Sequence, residues 1–223
     1  MKSHVVWPLA LLCAVLMGGL VEGWALEGEP ALAQAAASPT GAQEFVIVPS
    51  ESQVVYRVGE TLLRDGNRFN VAVGMTGAVR GTVTIDRANP RASRISPIAV
   101  DISQFQSDSS RRDNAIRQQW LESARFPTAE FTPTQIEGLP SQYVDGRPLA
   151  LRITGTLKVR NVSKPTTFDA MLMLAGSQLS GKATTRVQMT DFGFDPPAIF
   201  GILRAQNEVE LEFRFSARPA SAP

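Results

Sequence analysis

The sequence predicts an all-β, antiparallel domain of about eight strands, because apolar residues recur at every second position, turn signals separate those runs, and only one helical interruption intervenes. Val54, Tyr56 and Val58 share one face of the first such run, as do Val79, Gly81, Val83 and Ile85 of the next. Ile98, Val100 and Ile102 follow, then the series from Leu149 to Val159, from Phe168 to Leu174 and from Leu179 to Val187. In the last run Val209, Leu211, Phe213 and Phe215 alternate with Glu208, Glu210, Glu212 and Arg214, which describes a strand buried on one side only. One-sided burial points to an antiparallel rather than a parallel sheet. A sheet of that size with one apolar face either closes into a barrel or packs on a partner sheet, and periodicity alone leaves both open.

The turns carry their usual residues: Arg64-Asp65-Gly66-Asn67, Ala88-Asn89-Pro90, Asp145-Gly146, Asn161 to Pro165, and Ala175-Gly176-Ser177. The interruption is Ser109 to Glu122. Ser110 with Asp113 reads as a capping box, and Ala115, Ile116, Trp120 and Leu121 share a side of the short α-helix that would follow. Phe126-Pro127 ends it. Such a helix covers one end of the sheet or barrel, where Trp120 and Phe126 either plug that end or form a cover over a ligand cavity.

The chain has 223 residues, enough for one domain with a sizeable core. Lys2 precedes the apolar run Leu9 to Leu20, and small residues stand at Gly23 and Ala25, the order of a secretory signal peptide over residues 1–25. The uncharged stretch from Val5 is about 17 residues, at the lower limit for an uncleaved anchor. Residues 26–43, rich in Ala, Glu, Pro and Gly without periodicity, are expected to be a flexible linker. The folded domain is expected over 44–217, followed by a disordered tail over 218–223. Export is therefore expected, with tethering to the membrane if the N-terminal segment is retained.

Composition narrows the chemistry further. The only histidine is His4 and the only cysteine is Cys13, both in the export segment. Without them the domain lacks disulfides, the usual zinc and copper ligands, and Ser-His or Cys-His nucleophile pairs. No enzyme activity, cofactor or metal is expected. Formal net charge is +1 and no basic stripe suggests nucleic acid. A carboxylate enzyme using Asp101, Asp191 or Asp195 is the remaining catalytic reading, but Asp191 and Asp195 sit beside turns, where Asp commonly accepts backbone hydrogen bonds.

Four stretches, in order, resemble those of the YceI-like family. They are Gly77 to Asp86; Asp101-Ile102-Ser103 with Arg111 to Asn114 and Arg125 to Phe131; Ile153 to Pro165 with Phe168; and Asp191-Phe192-Gly193. The resemblance covers nearly all of residues 45–217 and implies a lipocalin-like eight-strand barrel, exported to the periplasm or the exterior, whose interior holds a polyisoprenoid or other long amphiphilic lipid. The chain departs from the family pattern at Glu51-Ser52, at Met189 before Asp191-Phe192-Gly193, and in the longer connection from Leu62 to Phe69. Those departures leave the lipid head group undefined.

On that reading, the inward apolar residues expected to contact the lipid are Val83, Ile85, Val100, Phe131, Ile153, Leu157, Phe168, Leu172, Val187 and Phe213, with Trp120 and Phe126 from the helical cover. Phe192 and Phe194, near Ile199 and Phe200 around Asp195-Pro196-Pro197, form either a flap at the barrel mouth that meets lipid or membrane, or a loop packed on its neighbour. Gly81, Gly155, Ala170, Gly181 and Ala183 either leave space inside the barrel or relieve crowding between strands. Each buried methylene contributes roughly 0.8 kcal/mol, so about ten give near-micromolar binding with no hydrogen bond. The function expected is sequestration or carriage of an apolar lipid. The alternative is an envelope interaction or scaffold module with a filled barrel. Oligomeric state is left open.

Overall fold

Alternation of apolar and polar residues becomes, in the computed structural model, a meander of antiparallel strands. The structure describes residues 41–220. The expected signal peptide, most of the linker and the last residues of the tail lie outside the described residues.

The strands are β1 (Ala42–Ile47), β2 (Gln53–Leu62), β3 (Arg68–Thr76), β4 (Val79–Arg80), β5 (Thr82–Asp86), β6 (Arg94–Ile95), β7 (Ile98–Asp101) and β8 (Gln106–Ser107). After the helix come β9 (Thr128–Glu137), β10 (Leu149–Val159), β11 (Val162–Ala175), β12 (Gln178–Gln188), β13 (Ala198–Ile199) and β14 (Leu203–Pro219). The first strand begins slightly before the expected domain start, and the last runs past the expected end, with Arg218 opposite Val46 and its guanidinium 2.6 Å from Glu51.

Several short segments continue one another across kinks, so the chain traces eight strands. β1 and β2 are separated by a turn that starts at Pro49, and both pair with β14: β1 with its last residues, β2 with the part from Leu203 to Arg214. Pro49 lacks the N–H a continuous ladder would need, so the strand breaks there. β3, β4 and β5 likewise form one bent strand. β3 pairs with β2 and β8, β4 with β7, and β5 with β1. From β7 the ladder runs through β9, β10, β11, β12 and β14 and returns to β1 and β2. The sheet therefore closes through Val79–Asp86, the eight-strand barrel expected, and the sandwich alternative is excluded.

Two glycines make the closure possible. A Cβ on Gly81 would lie 2.4 Å from Ile98 Cδ1, and one on Gly155 would lie 2.3 Å from the carbonyl oxygen of Thr132, where β9 and β10 slip register. Gly181 is similar, with Leu172 Cδ2 at 2.4 Å from the Cβ position. These glycines relieve crowding between neighbouring strands. Of the small residues singled out in the sequence, Ala183 faces the hollow part of the interior.

The two ends of the barrel differ. Around the hairpin between β11 and β12, Phe45, Val79, Leu174, Leu179 and Ala217 are buried against one another, and Leu139 and Tyr143 from the connection before β10 pack on them. Phe45 and Leu179 are fully buried, each contributing roughly 1.5–3 kcal/mol from area removed from water. The opposite end carries the helix, α1 (Ser110–Ala115), which continues as one wider π-type turn over Ile116–Trp120. Its cap is not the expected Ser110–Asp113 box. Ser109 Oγ accepts from the Arg112 N–H, while the buried Asp113 carboxylate accepts from the N–H and hydroxyl of Ser107. The helix start thus moves one residue earlier than the capping pattern indicated.

Candidate functional site

Because one end is packed solid and the other is not, the upper barrel encloses a cavity of about 440 Å³, within the usual range for small-ligand sites. Its wall follows from the alternation: each strand places its inward residues there. Val83 of β5, Val100 of β7 and Phe131 of β9 line it, as do Ile153 and Leu157 of β10 and Phe168 and Leu172 of β11. Val187 of β12 and Phe213 of β14 complete the wall. Phe168 stands opposite Ile153, and its ring meets that of Phe131 edge to face at 4.8 Å, an arrangement favoured by the ring quadrupoles.

The mouth lies under the helix and the segment after β12. Trp120 lines the cavity from the helical side, with Ala115, Ile116 and Leu121, so the apolar side of the helix expected from the sequence faces inward. From the other side come Phe192, buried at the end of a 3-10 turn (Met189–Phe192), and Phe194. Arg160, at the tight turn between β10 and β11, joins the two sides. It forms an ion pair with Glu122, donates to the Trp120 carbonyl at 3.3 Å and places its guanidinium 5.9 Å from the Phe194 ring centre. Beyond the rim, the hairpin from β13 into β14 exposes Ile199, while Phe200 is fully exposed.

Two residues expected in the wall do not line it, and the expectation for them is corrected. Ile85 points inward but lies further along β5, where it packs into the filled end of the barrel. Phe126 comes after the chain has left the helix, and its ring lies beneath the Arg125 guanidinium at 4.9 Å rather than over the opening.

The structure also adds polar groups that the sequence reading missed. Glu60, at the end of β2, is buried beside the cavity, where it forms an ion pair with Arg112 at 3.0 Å and accepts from Asn70 at 2.8 Å. Arg112 also pairs with Asp108. Burial by itself would weaken the charge on Arg112, but Glu60 and Asp108 outweigh it and hold its proton more firmly than usual. Tyr56 lines the same wall, with its ring laid across Gly74, where a Cβ would come within 2.3 Å of Tyr56 Cε1, and edge-on to Phe105 at 5.2 Å. Its hydroxyl pKa is pushed up to about 12, first by burial and then by the Asp113 carboxylate. A signal for Glu60 existed: it continues the inward alternation Val54, Tyr56, Val58, so a carboxylate was due on the cavity side. Arg112 had none, since the direction of the helix across the mouth is a tertiary fact.

Chemically this is a hydrocarbon-lined chamber with one ionic wall near its mouth. Comparison with known proteins agrees with that architecture. "Protein YceI" of Salmonella arizonae is 29% identical over 138 residues, 59% of this chain; the chain spans 65% of the length of that curated relative. Among solved structures, the polyisoprenoid binding domain from Saccharophagus degradans implicated in plant cell wall breakdown superimposes with a TM-score of 0.59, at 11% identity, over 80% of this chain and 99% of that one. Burkholderia cenocepacia BcnA gives 0.58 at 14% identity, covering 76% of this chain and 98% of that one. The YceI-like domain family matches residues 45–217, the whole barrel from β1 into β14, and the chain belongs to that family.

Proposed function

We propose that this chain is an exported, non-catalytic carrier that sequesters a polyisoprenoid or similar long-chain lipid inside the barrel. The observation that carries the reading is the cavity of about 440 Å³ walled by apolar side chains from successive strands. Hydrocarbon transferred there from water is stabilised in proportion to its buried length, so tail length and shape dominate recognition. The binding of a polyisoprenoid by the structurally similar Saccharophagus degradans domain supports the same ligand class. The alternative of a filled barrel serving as a scaffold is disfavoured by the hollow upper half.

Ligand contacts in this reading are the wall residues Val83, Val100, Phe131, Ile153, Leu157, Phe168, Leu172, Val187 and Phe213, with Trp120, Phe192 and Phe194 at the mouth. Export rests on the N-terminal order of Lys2, apolar run and small residues. Delivery to and from a bilayer would use the exposed Ile199–Phe200 hairpin beside the mouth, with Arg204 next to it in the β13–β14 pairing.

Native mass spectrometry of the protein purified from its own cell envelope tests this. A co-purifying mass that dissociates as a polyprenyl lipid is expected. Recovery as apo protein, together with no uptake of added polyprenyl compounds, would refute the carrier reading.

A further inference from the structure

Apart from Ala150, the outward side of the long strands flanking β11 is polar. It carries Arg152, Thr154, Thr156 and Lys158 on β10, and Ser180, Lys182, Thr184 and Arg186 on β12. β11 itself breaks the pattern. After Thr167 and Asp169, its next two outward residues are Met171 and Met173, 50% and 38% exposed, whereas Ala170, Leu172 and Leu174 are buried on the inward side. Residues two apart on a strand share a face, with Cα atoms about 6.6 Å apart. Methionine is unbranched and flexible, so the two sulfurs can close on a single ion.

The neighbouring strands leave that approach open. Ala150, opposite Met171 on β10, offers only a methyl group, and β10 begins at Leu149, so no residue of that strand stands opposite Met173. On β12 the partners are Lys182 and Ser180. Lys182 is drawn away from Met171, its ammonium lying 3.0 Å from the Glu212 carboxylate on β14. Arg152 is paired with Asp169 at 3.6 Å. Each of the two cations beside the methionines is thus matched by a carboxylate, and an incoming cation is not met by an unpaired positive charge.

Thioether sulfur is a soft, uncharged ligand that favours Cu(I) over hard divalent ions. Among the described residues no group of three or more His, Cys, Asp or Glu is placed to hold a metal, so harder ions have no comparable site there. We propose that Met171 and Met173 form a two-thioether site for a soft monovalent ion, Cu(I) or Ag(I), on the outer wall of the barrel. The site is independent of anything the barrel encloses.

The test is titration of Ag(I) into the full chain labelled with methyl-13C methionine and followed by methyl NMR. Cys13→Ser removes the only thiol in the sequence. The Met171 and Met173 methyl signals are expected to shift together and to saturate with one ion per chain. Met75 is the internal control, because it is 43% exposed but stands alone, its sulfur accepting from Gln53 Nε2 at 2.9 Å. Its signal and that of the buried Met189 should stay in place. Met171→Leu and Met173→Leu, swaps of similar volume that keep the fold, should each weaken binding at least about tenfold, since the second thioether otherwise binds intramolecularly. Met75→Leu should leave affinity unchanged. Cu(I) supplied anaerobically should move the same two signals, and Zn(II) should move neither. The proposal is overturned if Met75 shifts at the same Ag(I) concentration as the pair, if either single variant of the pair keeps full affinity, or if Zn(II) acts as Ag(I) does.

Discussion

Arg160 Nη1 lies 3.3 Å from the carbonyl oxygen of Trp120, so the turn between β10 and β11 is fastened to the last residue of the helical cover. That carbonyl ends a helix and has no intrahelical partner, and a guanidinium is well suited to satisfy it. Arg160 and Glu122, its ion-pair partner, both hold positive φ, 57° and 47°, which ties the two turns together at their tightest points. The contact spans the cavity mouth. Arg160→Ala should therefore loosen the cover more than the barrel. Release of a bound polyprenyl probe, followed by stopped-flow fluorescence, is expected to speed up several-fold, with a stability loss of about 1–2 kcal/mol in denaturant melts. Unchanged release kinetics would show that the helix does not gate the opening.

Ala183 offers the opposite intervention, because it faces the cavity between Ala170 on β11 and Phe213 on β14. Ala183→Phe extends a ring into space that is otherwise open. Overpacking a dense core costs about 1–3 kcal/mol, but here a void receives the ring, so stability should change by less than about 1 kcal/mol. Lipid uptake should fall at least about tenfold, since the ring occupies volume that several methylenes would use. Retained uptake with a retained fold would place the ligand elsewhere.

Outside the barrel, Glu212 sets a pH dependence. Burial raises its pKa, but the hydrogen bond from Lys182 at 3.0 Å and the charges of Arg57 and Arg214 outweigh that, and the net direction is downward. A carboxylate whose folded pKa lies below its unfolded value of about 4.5 adds stability that is fully present above that value. As pH falls through the folded pKa, that contribution is lost. Glu212→Gln should thus lower stability near pH 7 by about 1–2 kcal/mol, its partners being partly solvated, and should leave stability at pH 2–3 nearly unchanged. Chemical denaturation at the two pH values checks this. An equal loss at both would assign the effect to packing rather than charge.

Strand positions were legible because period-2 alternation is local: Val209 to Phe215 and Leu149 to Val159 lie inward as read. Where along the barrel the interior is hollow was not legible. Val83 and Ile85 share a strand face, yet one lines the cavity and the other packs in the filled end. The core on which Ile85 packs includes Phe45, Leu179 and Ala217, which come from distant parts of the chain. The glycines illustrate the same limit, since the Gly155 Cβ position clashes with a carbonyl from a different strand. The ionic wall joins Glu60 to Arg112 across 52 residues, a pairing that no spacing rule reveals.

Phe200 tests the route by which lipid reaches the mouth. It is fully exposed at the tip of the β13–β14 hairpin, and Ile199, one residue before it, lines the cavity as well as facing solvent. A fully exposed phenylalanine adds nothing to the fold, so Phe200→Asp should change stability by less than about 0.5 kcal/mol. At a bilayer the same ring would insert at the interface, worth up to about 1.5–3 kcal/mol of apolar burial, and Arg204 beside it would favour anionic lipid. Co-sedimentation with vesicles of phosphatidylglycerol and phosphatidylethanolamine is therefore expected to fall about tenfold or more in Phe200→Asp. Transfer of a polyprenyl probe between vesicles should slow in parallel, while affinity for a detergent-dispersed probe stays the same. If transfer keeps its rate while sedimentation falls, the lipid exchanges through solution and the hairpin is not the docking element.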